Sequence, residues 1–288
     1  MKDKEVVIII GGGIAGLTAA SILAYENIPI ILLEAHSQPG GCAGTFKRGK
    51  YIFDVGATQV AGLEPGGIHD RIFKHLRISL PNASILDPSC VVDLGDNSEP
   101  IVIWNDPDKW RKERKKQFPK SNLFWDICNI IHESNWEFVN RGPILPIRSY
   151  WDFKQLIKSL RLKTIGSSIL SILSIKDLLL ISGCGNDLRL KKFLDLQLKL
   201  YSQEPADRTS ALYGATVLQM GQSPLGLFHL DGSMQVLSNK FIEFLNSRKN
   251  CKVLLNHRVV NLRKEHKDKN WSIDIIKTDN KSINIQSN

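Results

Sequence analysis

A chain of 288 residues, 42% hydrophobic and 23% charged, has the material for a sizeable core and about two domains, which excludes a disordered protein. Its formal net charge of +9 suits an anionic surface or ligand, but no nucleic-acid-binding motif accompanies the charge, so no nucleic-acid partner is expected. The five cysteines lie far apart without a Cys-x-x-Cys pair, and the seven histidines lack ligand spacing, so neither a disulfide framework nor a metal site is expected.

Met1 to Lys4 could open a signal peptide, but Gly11 to Gly13 interrupt the apolar run after five residues, and no export signal is read. Val6 to Ile10, apolar and rich in β-branched residues, predicts a buried parallel strand. Leu17 to Glu26 predicts a helix, and Pro29 to Glu34 a second strand. Between the first strand and the helix stands Gly11-Gly12-Gly13-Ile14-Ala15-Gly16, a Gly-x-Gly-x-x-Gly turn. Gly11 permits a tight turn, Gly13 lets a pyrophosphate approach the backbone, and Gly16 lets helix and strand pack closely. The helix N-terminus at Ile14 and Ala15 offers free N–H groups and a partial positive charge to phosphates. Glu34, 23 residues after Gly11 and followed by Ala35, is spaced to accept hydrogen bonds from a ribose. Its charge would repel a 2′-phosphate, which disfavours NADP. A Rossmann-like, dinucleotide-binding α/β domain follows from these residues.

Gln38-Pro39-Gly40-Gly41-Cys42-Ala43-Gly44-Thr45-Phe46 and Tyr51-Ile52-Phe53-Asp54-Val55-Gly56-Ala57-Thr58 come next, and a plain nicotinamide enzyme has no evident need for either. The first resembles the second signature of the amine oxidase and carotenoid desaturase superfamily of flavoproteins. The second resembles that family's aromatic-x-Phe-Asp-x-Gly segment beside the flavin. Gly40 and Gly41 leave backbone amides bare for a pyrophosphate and a flavin edge. The resemblance implies FAD as cofactor, with Gly40, Gly41, Cys42, Gly56, Ala57 and Thr58 beside it. Many relatives carry Arg or Lys where Cys42 stands, and this thiol is read as a buried small hydrophobe. Asp54 is read as hydrogen-bonding the backbone of its own turn.

Phe53 to His69, Phe193 to Tyr201 and Gly226 to Leu237 resemble the carotenoid isomerase and desaturase branch, within it most closely the 3′,4′-desaturases of photosynthetic bacteria. The fold expected is α/β, with residues 1–70 and 226–288 as two segments of a Rossmann-like FAD-binding domain and residues 71–225 as an inserted mixed α+β substrate domain. Relatives continue to a further glycine-rich segment, so the chain reads as an N-terminal portion. Its missing C-terminal half could lie on a separate chain, and weak flavin retention is expected.

Within the insert, Asp106 starts a helix by its capping chemistry, and Lys109, Arg111, Lys112, Arg114, Lys115 and Lys116 give that helix a solvated basic face. Trp151 to Ile181 is strongly apolar, and is flanked by Lys154, Lys158, Arg161, Lys163 and Lys176. Charges and serines prevent a membrane span there, leaving either a core-packed helix pair or a segment lying in a membrane interface. With a polyene substrate, peripheral contact with the cytoplasmic face of a membrane is the expectation. Leu194, Leu196, Leu198 and Leu200 alternate like a strand, yet the resemblance implies a helix, which is the reading adopted. Lys252 to Leu262 reads as one strand, where the resemblance implies that the backbone of Val259 meets the adenine.

The chemistry implied is removal of hydrogen across a C–C bond of the carotenoid, with transfer to the flavin. Delocalisation over the polyene lowers the demand for a strong base, so no catalytic residue is assigned; His229 and Asp231 are read as core or turn residues. Two alternatives are cis-trans isomerisation with reduced flavin and non-catalytic isoprenoid carriage on a related fold.

Overall fold

The computed structural model describes residues 6–161, 164, 166, 170, 172–222, 224–264, 271–277 and 282–287. The chain forms two compact units, residues 1–85 with 228–288 and residues 86–227. The first unit begins with β1 (Val7–Ile10), α1 (Ile14–Tyr25), β2 (Ile30–Leu33), a short turn of 3-10 helix (Gly41–Ala43), the hairpin β3 (Thr45–Arg48) and β4 (Tyr51–Asp54), α2 (Ile68–Leu76) and β5 (Ala83–Ile85). The second unit holds β6 (Cys90–Val92), β7 (Ile101–Ile103), α3 (Pro107–Gln117), α4 (Asn122–Asn140), α5 (Tyr150–Ser159), α6 (Ile175–Ile181), α7 (Leu188–Ser202) and α8 (Ala211–Val217). The chain then returns to the first unit through β8 (Phe228–Leu230), α9 (Gln235–Asn246), β9 (Cys251–Leu254), β10 (His257–Lys264), β11 (Trp271–Lys277) and β12 (Ser282–Ser287).

In the first unit β1, β2 and β9 form a parallel sheet in the order β1-β2-β9, with Ile8 opposite Ile31 and Leu33 opposite Leu254. Successive side chains on a strand point to opposite faces. Ile30 and Leu32 accordingly pack with Leu17, Ala20 and Ala24 of α1 and Leu237 and Phe241 of α9. Ile31 and Leu33 pack instead with Ile273 and Ile275 of β11. The result is three layers: helices, parallel sheet, and the antiparallel sheet β10-β11-β12.

Residues 252–262 are not one strand. β9 ends at Leu254, and Asn256 turns the chain with a left-handed φ of 59° while its N–H donates to His36 O at 3.0 Å. β10 then starts in the antiparallel sheet, so the apolar run that reads as continuous serves two sheets. Apolar content marks burial and says nothing of which neighbour a strand joins.

The core of the second unit contains Trp110, Phe118, Phe124, Trp125, Phe193, Leu194 and Leu198. Asp106 caps α3, accepting from the backbone N–H of Asp108 and Lys109 at 2.9 Å each. Lys109, Arg111 and Lys116 pair with Asp87, Asp108 and Glu99, whereas Arg114 departs from the basic face and lies against the Trp110 and Trp125 rings. α7 is a helix: Leu190, Phe193, Leu194, Gln197 and Leu198 are buried at helical spacing, while Leu196 and Leu200 face out. The apolar stretch 151–181 divides. Ile175, Leu178 and Leu179 of α6 are core residues, α5 buries only Ser159, and Lys163, Ile165 and Ile169 lie outside the described residues. Among the described residues no helix is long and apolar enough to cross a membrane, and no group of three potential ligands gathers for a metal.

Burial lowers the pKa of His69, in the first unit, and of His132, whose Nδ1 lies 3.2 Å from Thr216 O in the second. An unfolded histidine takes a proton near pH 6.5, and these folded ones do so only at lower pH. Their contribution to stability is therefore complete above that value and lost as pH falls below it. The melting temperature is expected to drop between about pH 7.5 and about pH 5.5, less steeply in a His69→Gln/His132→Gln variant. Equal slopes for the two proteins in a thermal scan would refute the assignment.

Candidate nucleotide-binding site

The three motif glycines sit in different surroundings. Gly11 ends β1 at a φ of +102° and donates its N–H to Leu33 O at 2.8 Å. Gly13 caps the N-terminus of α1 in an extended conformation, with no side chain bonded to that helix end and nothing within 4 Å of where a Cβ would stand. Gly16 is the opposite case: a Cβ there would lie 2.0 Å from Gly11 O. Gly11 and Gly13 leave open space beside the first-turn N–H groups of Ile14 and Ala15, while Gly16 lets the helix close onto the turn.

Glu34 is buried. Its carboxylate accepts from Gly12 N at 2.6 Å through Oε2 and from His36 N at 2.8 Å through Oε1. The second hydrogen bond spans Ala35, which is half-buried. Each carboxylate oxygen has two lone pairs, so a ribose hydroxyl can still be accepted, but Glu34 is in the first place a clamp between the strand end and the glycine turn.

Gly40 and Gly41 dock on that same turn. Gly40 N donates to Gly12 O at 2.8 Å, Gly40 bridges Gly13 in parallel register, and a Cβ on Gly41 would stand 3.3 Å from Gly13 Cα. Both have positive φ, 125° and 58°, a conformation that favours glycine. Two motifs with 23 residues between Gly16 and Gly40 thus form one backbone surface.

Beyond it, Ala57 N donates to Cys42 O at 3.1 Å and Val55 N to Gly44 O at 3.0 Å, which brings Gly56, Ala57 and Thr58 alongside the Gly-Gly turn. These three are exposed, and so is Cys42. The buried position expected for Cys42 is therefore corrected: the short helical turn Gly41–Ala43 buries Ala43 and turns Cys42 outward. Asp54 likewise bonds outside its own turn, accepting from Met234 N at 3.2 Å before the start of α9.

α9 supplies the residues that sequence reasoning missed. Gln235 Nε2 donates to Pro39 O at 2.8 Å and its Oε1 accepts from Thr45 N at 3.3 Å, holding both ends of the Gly-Gly turn. A Cβ on Gly40 would stand 2.9 Å from the Oγ of buried Ser238. The available signal was that 226–237 carries a family-like pattern; nothing in residue type marks Gln235 as a brace. Val259 lies on β10 opposite Ile275, packed near Leu33, two residues after His257 N donates to Glu34 O at 2.8 Å. The register then slips by one residue at Val260, a bulge that frees backbone on this strand.

Residues 9–76 match the NAD(P)-binding Rossmann-like domain family. The chain is 33% identical over 134 residues to the chloroplastic prolycopene isomerase of Arabidopsis thaliana, covering 44% of this chain and 22% of that one. It is 39% identical over 68 residues to the human all-trans-retinol 13,14-reductase, covering 24% of this chain and 11% of that protein. In fold it is similar to a Pyrococcus furiosus protein of known crystal structure, with a TM-score of 0.60 at 15% identity, over 96% of this chain and 56% of that one. The chain spans little more than half the length of the solved protein, and the two curated relatives are matched over less than a quarter of theirs.

Proposed function

We propose that the chain carries the ADP-binding part of a flavin-dependent oxidoreductase of polyenes, with FAD as cofactor and a carotenoid as substrate. The observation that carries this reading is the joining of Gly12 and Gly13 to Gly40, which extends the nucleotide cradle by a second run of side-chain-free backbone. A nucleotide alone needs only the first turn. Bound FAD would supply two-electron redox chemistry at a C–C bond of the polyene. Gly11, Gly13 and the first turn of α1 hold the diphosphate by backbone N–H groups, and Glu34 accepts from the ribose. Gly40 and Gly41 continue the cradle toward exposed Cys42 and Gly56 to Thr58, with Asp54 and Gln235 fixing its shape. In such a reaction orientation and exclusion of water dominate, so none of these side chains is assigned the role of a strong base.

Desaturation and cis-trans isomerisation both suit such a site. The likeness to prolycopene isomerases favours isomerisation as the second reading. Titration of the purified chain with FAD is expected to quench flavin fluorescence, ADP to compete, and NADP to compete poorly because Glu34 opposes a 2′-phosphate. Absence of both FAD and ADP binding refutes the site. Pigment analysis of carotene-producing cells expressing the chain decides the reaction: a longer chromophore means desaturation, and a changed isomer ratio at constant mass means isomerisation.

A further inference from the structure

The second unit holds a cavity walled by Trp110 and Trp125, whose rings meet edge to face with centres 5.7 Å apart, and by Phe193, its ring centre 6.3 Å from that of Trp110. Phe193, Gln197 and Tyr201 stand at i, i+4 and i+8, one stripe of α7, and all three line it. The stripe climbs from core to rim. Phe193 is 1% and Gln197 7% exposed, whereas Tyr201 is half-buried, as is Cys90 of β6; every other lining residue is buried, so these two form the mouth. Burial raises the pKa of Tyr201 and Cys90, and no acidic or basic side chain lines the cavity. Gln197 is out of keeping with such walls. A buried amide costs free energy unless its hydrogen bonds are made, yet among the described residues nothing pairs with its side chain. The amide is not sealed in protein; it opens into the cavity. The Tyr201 hydroxyl likewise makes no hydrogen bond among the described residues, only the backbone Tyr201 O accepting from Tyr213 Oη at 3.2 Å.

We infer that this cavity is a binding site for a small uncharged ring bearing a hydroxyl group, a phenol-class molecule that packs against Trp110, Trp125 and Phe193 and hydrogen-bonds the Gln197 amide. Aromatic walls with one convergent polar group are the usual make-up of a small-molecule site: the walls hold the ring and the polar group orients it. A charged ligand is excluded because the lining offers no counter-charge. A long hydrocarbon polyene is a different kind of ligand, since it has no polar group to complete Gln197. A water molecule would complete the amide but leave the ring faces unfilled. The site lies wholly within the second unit and does not depend on the redox reading.

The test is alkylation of the full chain by iodoacetamide at about pH 9, read by mass spectrometry of the Cys90 peptide. Cys251 of the first unit, also half-buried, is the internal control. Phenol is expected to slow labelling of Cys90 saturably and to leave Cys251 unchanged. Benzoate, the same ring carrying a charge, is expected to protect neither. Gln197→Leu removes the unpartnered amide, so it is expected to melt at or above the temperature of the parent while phenol protects its Cys90 about tenfold more weakly. A glutamine with a purely structural role would not give that combination. Absence of protection by phenol, equal protection by benzoate, or a Gln197→Leu protein that binds phenol as tightly as the parent overturns the proposal. A Gln197→Leu protein that melts below the parent, with no effect of phenol on either, would assign the cavity to a bound water molecule and overturn it as well.

Discussion

Gly16→Ala is expected to lower the free energy of unfolding by about 3 kcal/mol or more and to remove nucleotide binding with it. The added carbon would stand 2.0 Å from Gly11 O, a backbone atom held by the Gly11 N to Leu33 O hydrogen bond, so α1 must move away from the sheet. Gly13→Ala should behave in the opposite way. Its Cβ enters open space at a backbone conformation that alanine adopts readily, so stability should change by no more than about 1 kcal/mol. Under the proposed function the same carbon would stand where the diphosphate meets the backbone, and affinity for ADP should fall by about tenfold or more, roughly the loss of one backbone hydrogen bond to a charged group. Urea unfolding and ADP titration of the two variants measure both quantities. Equal stability losses would mean that both glycines serve packing, and the open space at Gly13 would lose its functional meaning.

Glu34 is the second sensitive position. Glu34→Ala leaves the buried Gly12 N–H without its acceptor and is expected to cost about 2 kcal/mol, with a loss of nucleotide affinity as the turn loosens. Glu34→Gln is nearly isosteric yet should restore only part of this. The carboxylate accepts from two backbone N–H groups through two different oxygens, and an amide has one oxygen, so its NH2 must face a donor. A stability loss for glutamine about half that for alanine or more is the expected result in chemical denaturation. A glutamine variant as stable and as tight for ADP as the parent would show that the clamp is unimportant.

The α/β class and the opening βαβ unit could be read from the chain because each rests on local pattern: a β-branched apolar run, three glycines at fixed spacing, and a largely apolar stretch of helical length. Asp106 as a helix cap was legible for the same reason, since a cap acts within three residues. The exposure of Cys42 was not. A thiol carries no charge to betray its direction, and its orientation follows from how Gly40 and Gly41 dock on Gly12 and Gly13. The roles of Asp54 and Gln235 were hidden too, because their partners Met234 and Pro39 are 180 and 196 residues away. The division of residues 252–262 between two sheets turns on the Asn256 N–H bond to His36 O, again a long-range contact. Residue type and spacing along the chain thus determined by themselves that a glycine turn joins the first strand to the first helix. Only the tertiary structure decided that the Gly40-Gly41 turn completes it, that Glu34 clamps it and that α9 braces it, because backbone hydrogen bonds between distant segments leave no trace in side-chain pattern.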